Sequence, residues 1–292
     1  MTQTKKNGTR KRAAGNGSRS DSDGAPASNH ELSVPLRDLQ HHLHRYGLRY
    51  FADGGYYDDW TSSRLKSANA RRYGTLMARC HADPTRENLD EVTNFSVQDN
   101  VFPLLHSQQT GTIGAAGEYI SKQLAGRMNI LDVGCDAGYL TTWYAHLDPQ
   151  RTVLGIDSSK QAIALARRFA DKFGITNVDF RNQDVTKNDL GGPYDAIVES
   201  FVLNGDFWDL PAIFQALRSA LATGGVFIFV ERLRNQERVD QFVESLGKGG
   251  FQTFLDHGFV AATDCGERER FFSGVASPLA VSQVGGQLLM PG

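Results

Sequence analysis

The spacing of apolar residues predicts a parallel sheet in the C-terminal part of the chain. From residue 129 onward, short apolar runs alternate with stretches of helical periodicity. The runs indicate strands over 129–134, 152–157, 178–185, 194–203, 226–233, 260–264 and 270–276, and the helical stretches cover 139–147, 160–173 and 210–222. Strands that alternate with helices form parallel sheets covered on both faces. We therefore expect an α/β fold with a doubly wound, mostly parallel seven-stranded sheet whose last two strands form an antiparallel hairpin.

The N-terminal part of the chain has a helical pattern instead. Leu36, Leu39, Leu43 and Tyr46 fall three or four positions apart and share one helix face, and another helix is expected over 113–125. Residues 56–60 place two tyrosines and a tryptophan directly after a Gly-Gly pair. We predict that residues 31–111 form a helical appendage that acts as a lid or recognises the substrate. The alternative for the aromatic rings is that they only pack the appendage onto the core.

The two ends of the chain carry no clear apolar period. Residues 1–30 are rich in Lys, Arg, Gly, Asn and Ser and contain no Phe, Tyr or Trp. They offer little apolar surface to offset the entropy lost on ordering. We therefore predict a disordered tail over 1–30 and a second tail over 278–292, with the sheet domain over 112–277 between the appendage and the second tail.

Composition and charge argue against several classes of protein. The chain has 292 residues and a formal net charge of -2, which is unlike a protein that mainly coats nucleic acid or an acidic membrane. Cys80, Cys135 and Cys265 lie far apart, without the spacing of metal ligands. No apolar run approaches the ~20 residues of a membrane-spanning helix. We expect a cytoplasmic protein without a metal site and without a nucleic-acid or membrane partner, and no pattern indicates the oligomeric state.

A tight turn after the first expected strand is the first candidate for chemistry. In Asp-Val-Gly-Cys-Asp-Ala-Gly, residues 132–138, an acid at the strand end is followed by two glycines before a helix begins. Such a turn lies at the carboxyl edge of a parallel sheet, where ligands bind, and glycine lets the backbone approach a ligand closely. Only Gly134 and Gly138 are present, rather than the three glycines of a pyrophosphate-binding turn, which argues against NAD.

Two further acids follow the next two strands. Asp157 ends the second strand, where a carboxylate can accept hydrogen bonds from both hydroxyls of a ribose. Asp184 follows the third strand and could accept a hydrogen bond from an adenine amino group, while Val185 offers an apolar edge to the ring. Acids after three successive strands of one sheet favour a site for a nucleoside-containing cofactor.

These segments resemble the class I, Rossmann-like methyltransferases that depend on S-adenosylmethionine. The resemblance rests on Leu-Asp-Val-Gly-Cys at 131–135, Gly-Ile-Asp-Ser at 155–158, Gln-Asp-Val at 183–185 and Tyr-Asp-Ala-Ile-Val at 194–198. The motifs occur in the family's order, and the resemblance covers roughly residues 112–277. It implies S-adenosylmethionine as the cofactor and methyl transfer as the reaction.

The resemblance also implies which residues bind the cofactor. Asp132, Gly134 and Gly138 would surround its methionine part, with Cys135 beside them; Asp157 and Ser158 would hold the ribose; Asp184 and Val185 would contact adenine; and Glu199, at the end of the fourth strand, would close the pocket beside the sulfonium. At one position in the turn, Asp136, the family usually has glycine.

Only the absence of known signatures after the fourth strand limits the possible classes of methyl acceptor. Residues 199–206 lack the Asn/Asp-Pro-Pro-Tyr/Phe signature of enzymes that methylate amino groups of nucleic acids or glutamine, and they lack a Pro-Cys nucleophile for cytosine carbon. We expect a small-molecule acceptor with an oxygen, nitrogen or carbon nucleophile, and no catalytic residue is indicated. Two alternatives stay open: a non-catalytic cofactor-binding or scaffold protein, and a methyltransferase that modifies RNA or protein.

Overall fold

One mixed sheet organises the computed structural model, which describes residues 28–30, 37–187, 189–205 and 207–279. Within these ranges the sheet has eight strands in the order β1-β7-β8-β6-β5-β2-β3-β4. Their bounds are β1 (Ser28–His30), β2 (Asn129–Val133), β3 (Thr152–Asp157), β4 (Val178–Asn182), β5 (Tyr194–Ser200), β6 (Leu221–Glu231), β7 (Phe251–Asp264) and β8 (Glu267–Pro278). Only β8 runs antiparallel to its neighbours, β6 and β7. The expected α/β fold with an antiparallel C-terminal hairpin is confirmed.

Ten α-helices accompany the sheet in the described ranges. They are α1 (Arg37–Arg45), α2 (Gly54–Ser62), α3 (Ser67–Ala82), α4 (Arg86–Ser96), α5 (Phe102–His106), α6 (Thr110–Gln123), α7 (Tyr139–His146), α8 (Lys160–Phe173), α9 (Leu210–Ala220) and α10 (Gln236–Lys248). The first five helices form the expected N-terminal helical appendage. None of the helices in the described part of the chain is long and apolar enough to cross a bilayer.

Helices cover both faces of the sheet because its central strands are apolar on both sides. Along β2, Ile130 points to the face packed by α1, α6, α7 and α8, and Leu131 points to the face packed by α9 and α10. On the second face, Phe214 of α9 and Phe242 of α10 contact each other and the aromatic rings of β6. This double covering leaves the carboxyl edge of the strands as the place for a site.

The sheet differs from the sequence prediction at its outer edge. Ser28–His30, expected within the disordered tail, form an eighth strand that pairs in parallel with β7 at Gly258 to Val260. Backbone pairing at an edge needs no apolar side chain, so hydrophobic spacing does not reveal it. The rest of the predicted tail, 1–27, and the C-terminal residues 280–292 lie outside the described residues.

Several element ends also differ from the prediction. β4 ends at Asn182 and β5 at Ser200, so Asp184 and Val185 lie in a loop rather than in a strand. β7 begins at Phe251 rather than at residue 260, because His257 and Gly258 interrupt the apolar alternation that the sequence offered. The loop position of Asp184 gives its side chain local hydrogen-bond partners.

We predict that Gly138→Ala destabilises the protein far more than Gly174→Ala. Both glycines have positive φ, 76° and 67°, so each substitution incurs the cost of a left-handed alanine, about 1 kcal/mol. At Gly138 the added Cβ would also lie 2.7 Å from the ring of Phe180, whereas nothing lies within 4 Å at Gly174. Denaturant unfolding should show a loss on the order of 3 kcal/mol for Gly138→Ala. Equal losses in the two variants would contradict the packing argument.

Candidate functional site

A cavity of about 900 Å³ opens at the carboxyl edge of the sheet. The ends of β2, β3 and β5 and the turns that follow them form its floor, because the carboxyl ends of parallel strands meet at one edge. Helices α3, α4 and α5 form the facing wall, with Tyr73, Arg86 and His106 among the lining residues. The candidate site therefore lies between the sheet and the appendage.

Most of the residues predicted to bind a cofactor line this cavity. Those in its wall are Asp132, Gly134, Cys135, Asp157, Ser158 and Val185. Three others lie outside the wall: Gly138, Asp184 and Glu199. The structure thus brings the ends of β2 and β3 together as expected, while the contacts of each residue with a cofactor stay predictions.

Two carboxyl groups, the buried Asp132 and the half-buried Asp157, dominate the electrostatics of the floor. Burial raises the pKa of Asp132 to about 7. The hydroxyl of Thr141 donates a hydrogen bond of 2.6 Å to Asp132, which favours the ionised form and partly opposes this rise. Burial and the nearby charge of Asp136 raise the pKa of Asp157 to about 6. Backbone N–H groups of Ser159 and Asp136 donate to the two oxygens of Asp157, at 2.7 and 3.0 Å. Near neutral pH these acids can exchange protons, and a cation in the cavity would favour their ionised forms.

The turn after β2 requires a glycine at residue 134, where Val202 packs against the backbone. Gly134 has φ 70°, and a Cβ added there would lie 2.3 Å from Cγ2 of Val202, which follows β5. Glycine is therefore required at residue 134 for packing as well as for conformation. Cys135 is buried beside it, and burial together with the carboxylates of Asp157 and Asp132 raises the pKa of its thiol well above the ordinary value. The thiol stays protonated and is a poor nucleophile.

Asp184 is held by its own loop and by the appendage. Thr186 donates to Asp184 Oδ1 from its backbone N–H at 2.9 Å and from its hydroxyl at 2.7 Å. Arg86 of α4 and Lys187 each lie 3.5 Å from Oδ2. Burial opposes ionisation of Asp184, but these hydrogen bonds and charges outweigh it and lower the pKa. Asp184 therefore orders the loop after β4 as a carboxylate.

Glu199 forms a buried pair with a residue that the sequence did not single out, Glu231 at the end of β6. Both side chains are fully buried. Burial, followed by the neighbouring charge of Glu231, raises the pKa of Glu199 well above its ordinary range, so Glu199 carries the proton. The backbone N–H groups of Val202 and Leu203 donate to Glu199 and Glu231, respectively, and Asn204 also donates to Glu231. The pair thus fixes residues 202–204, which follow β5, by accepting their hydrogen bonds.

The appendage is joined to the floor by polar contacts that hydrophobic spacing cannot predict. Asn94 of α4 and Ser159 at the start of α8 are hydrogen-bonded at 2.8 Å. His106 at the end of α5 lies 2.8 Å from Asp136 Oδ2. Arg86, besides approaching Asp184, stacks over the ring of Trp208 at 4.7 Å. These contacts join residues far apart in the sequence, so no local signal could have found them.

The aromatic segment 56–60 lies elsewhere. It belongs to α2, and none of its residues is in the cavity wall. Tyr57 is buried and donates a hydrogen bond to the carbonyl of Leu104 at 3.1 Å, while Tyr56 is 74% exposed. In this arrangement the buried ring packs the appendage. The described residues include no cluster of three or more metal-ligating side chains.

The part of the chain that forms the cavity floor is similar to known proteins. Residues 124–248 match a family model described as a methyltransferase domain. The chain is 33% identical over 103 residues to a malonyl-[acyl-carrier protein] O-methyltransferase of Acetivibrio thermocellus, covering 35% of each protein. It is 28% identical over 119 residues to a carboxy-S-adenosyl-L-methionine synthase of Campylobacter hominis, covering 40% of this chain and 50% of that one. The match therefore spans half or less of these curated relatives.

The chain is also similar to a solved structure. The magnesium protoporphyrin IX methyltransferase of Synechocystis with bound SAM superposes with a TM-score of 0.43 and 22% identity. The superposition covers 60% of this chain and 81% of that chain.

We predict that the buried Asp132 makes the free protein less stable at alkaline pH. Its pKa rises from 3.8 to about 7 on folding, so between these values the folded state binds the extra proton and gains stability as pH falls. Relative to Asp132→Asn, the wild-type protein should gain on the order of 1 to 2 kcal/mol of unfolding free energy from pH 8 to pH 5.5. Denaturant titrations at each pH measure this difference.

The matched control is Asp171→Asn, on the exposed face of α8. Its difference from wild type should not change with pH over the same range. If the Asp132→Asn difference is equally flat, the raised pKa of Asp132 is wrong.

Proposed function

We propose that this chain, whose residues 124–248 belong to the class I S-adenosylmethionine-dependent methyltransferases, transfers a methyl group from S-adenosylmethionine to a small molecule. The observation that carries the proposal is the position of Asp157 at the end of β3, in the wall of a cavity that the appendage covers. Each of its oxygens accepts one backbone N–H. Lone pairs remain on both oxygens for the two hydroxyls of a ribose.

The charges of the cavity fit this cofactor. S-adenosylmethionine carries an ammonium, a sulfonium and a carboxylate. The wall contains the carboxyl groups of Asp132, Asp136 and Asp157, and it also contains the guanidinium groups of four arginines, Arg86, Arg232, Arg234 and Arg238. Oδ1 of Asp136 is buried and accepts no hydrogen bond within the described structure. A donor on a bound molecule would satisfy this atom, which supports binding of a cationic group nearby. The volume of about 900 Å³ lies at the upper end of the usual range for small-molecule sites.

The residues of the chain would act mainly by positioning. The bound cofactor supplies a methyl group that its sulfonium already activates. Asp157 would orient the ribose, and Val185 would give the adenine ring an apolar surface. Helices α4 and α5 would exclude water from the transfer. The protonated Cys135 thiol and the enclosed Glu199 make poor nucleophiles, so we assign no covalent intermediate.

The acceptor is proposed to be a small metabolite with an oxygen, nitrogen or carbon nucleophile. Helices α3, α4 and α5 line one side of the cavity, and this partial cover favours a small molecule over a polymer. The two relatives carry names for different reactions, so their similarity supports the cofactor rather than a particular acceptor. We also propose a cytoplasmic location, because three cysteines far apart in sequence are typical of proteins in a reducing compartment.

Calorimetric titration with S-adenosylmethionine and S-adenosylhomocysteine, with NAD as the unrelated nucleotide, tests the proposal. We expect micromolar-scale binding of the first two compounds and none of NAD. Asp157→Ala should weaken binding by on the order of 1.5 to 3 kcal/mol, the value of hydrogen bonds to a charged acceptor. Asp171→Ala, on the exposed face of α8, should bind as the wild type does.

Failure of the wild-type protein to bind either compound would refute the proposed cofactor. Binding without methyl transfer to any fraction of a metabolite extract would instead favour the non-catalytic alternative.

A further inference from the structure

Asp136 occupies a backbone conformation that glycine would adopt more easily. Its φ is 48°, in the left-handed region, where a side chain carries a steric cost that glycine avoids. Aspartate tolerates this region better than most residues but not without strain. A side chain retained here must therefore have contacts that glycine could not supply.

Those contacts reach the appendage. Asp136 Oδ2 lies 2.8 Å from Nε2 of His106, at the end of α5, and 3.4 Å from the hydroxyl of Tyr139. Nδ1 of His106 lies 3.2 Å from the carbonyl of Phe102 one turn earlier. Both ring nitrogens thus lie within hydrogen-bonding distance of an oxygen atom. The hydrogen bond between His106 and Asp136 is largely shielded from solvent, because both side chains are mostly buried.

The same residue also fixes the proposed ribose-binding group. The backbone N–H of Asp136 donates to Asp157 Oδ2 at 3.0 Å. Asp136 therefore links two parts of the site. Its side chain contacts α5 of the appendage, and its backbone holds the carboxylate at the end of β3. Movement of α5 away from the sheet would break the first contact and release the turn that makes the second.

The same geometry argues against His106 as the group that reacts with an acceptor molecule. One ring nitrogen faces the Phe102 carbonyl and the other faces Asp136, so neither nitrogen is directed at the open cavity. Its position in the cavity wall is consistent with a residue that orients others rather than one that reacts.

We propose that Asp136 and His106 are positioning residues that hold α5 over the cofactor and keep Asp157 oriented toward the ribose. The proposal rests on the proposed function, since it takes the cavity to be the S-adenosylmethionine site. The proposal gives Asp136 a role in the turn after β2. Its hydrogen bond to His106 of the appendage offsets the backbone strain at residue 136.

The test is Asp136→Gly, which relieves the backbone and removes the link. We expect a melting temperature equal to or above that of the wild type, together with S-adenosylhomocysteine binding weakened by about tenfold, the effect of losing one hydrogen bond to a charged group. Asp136→Asn tolerates the same φ and still accepts from His106, so it should retain most of the affinity. Hydrogen exchange of residues 102–106 in the ligand-saturated protein should be faster in Asp136→Gly than in Asp136→Asn or the wild type.

A double-mutant cycle separates the link from a general loss of structure. His106→Phe keeps the ring packing against Phe102, at 4.4 Å, but removes the donor. It should weaken binding, though by less than Asp136→Gly, which also removes Oδ1 from the cavity wall. The double variant should bind no more weakly than Asp136→Gly alone. His44→Phe, on the exposed side of α1, serves as the matched control and should bind normally.

The outcomes distinguish the two proposals. If the wild type does not bind S-adenosylhomocysteine, the cofactor assignment fails. If the wild type binds but Asp136→Gly binds as tightly or more tightly, Asp136 only crowds the turn and the positioning role is wrong. Fully additive effects of the two single variants would also overturn the link between Asp136 and His106.

Discussion

The carboxylate of Asp157 is the contact on which the arrangement of the site depends. Its two oxygens accept N–H groups from Asp136, in the turn after β2, and from Ser159, at the start of α8. Strands β2 and β3 pair in parallel up to Val133 and Ile156, so the two loops leave the sheet side by side. This side chain therefore fixes the spacing of both loops together with the backbone N–H groups of Gly134 and Cys135, which donate to the carbonyl of Ile156. The cost is a partly dehydrated charge, which the two donors reduce but do not remove.

The parts of the fold that the sequence predicted are those governed by a local period. β3 and α8 have the expected bounds, and α7 and β2 differ from the prediction by a single residue at their ends. Here buried apolar runs, a capping Ser159 and the αL residue Gly174 all agree with one another. β1 was missed because polar edge strands carry no such period. The start of β7 was missed because His257 and Gly258 disturb its alternation.

The candidate site divides in the same way. Parallel topology dictates that residues at strand ends share one edge, so Asp132 and Asp157 could be placed together from the sequence. His106 and Asn94 could not, because helix-to-sheet contacts depend on how the appendage packs. Glu231 had a usable signal: an acid directly after the long apolar run of β6. A buried acid at that position needs a partner. The register of β5 with β6 pairs Glu199 with Phe229, which places Glu199 two residues from Glu231 on the same face of the sheet.

The acidic floor of the cavity has a consequence for turnover. Methyl transfer converts the cationic sulfonium into a neutral thioether, so in the proposed reaction the attraction from Asp132 and Asp157 is stronger before transfer than after it. Both groups have pKa values near neutrality, about 7 and about 6, and loss of the neighbouring cation shifts them back toward their protonated forms. In the proposed reaction, this loss of the cation is therefore coupled to proton uptake by the two acids. The ambient pH would then affect how strongly the site prefers the charged cofactor over the spent one.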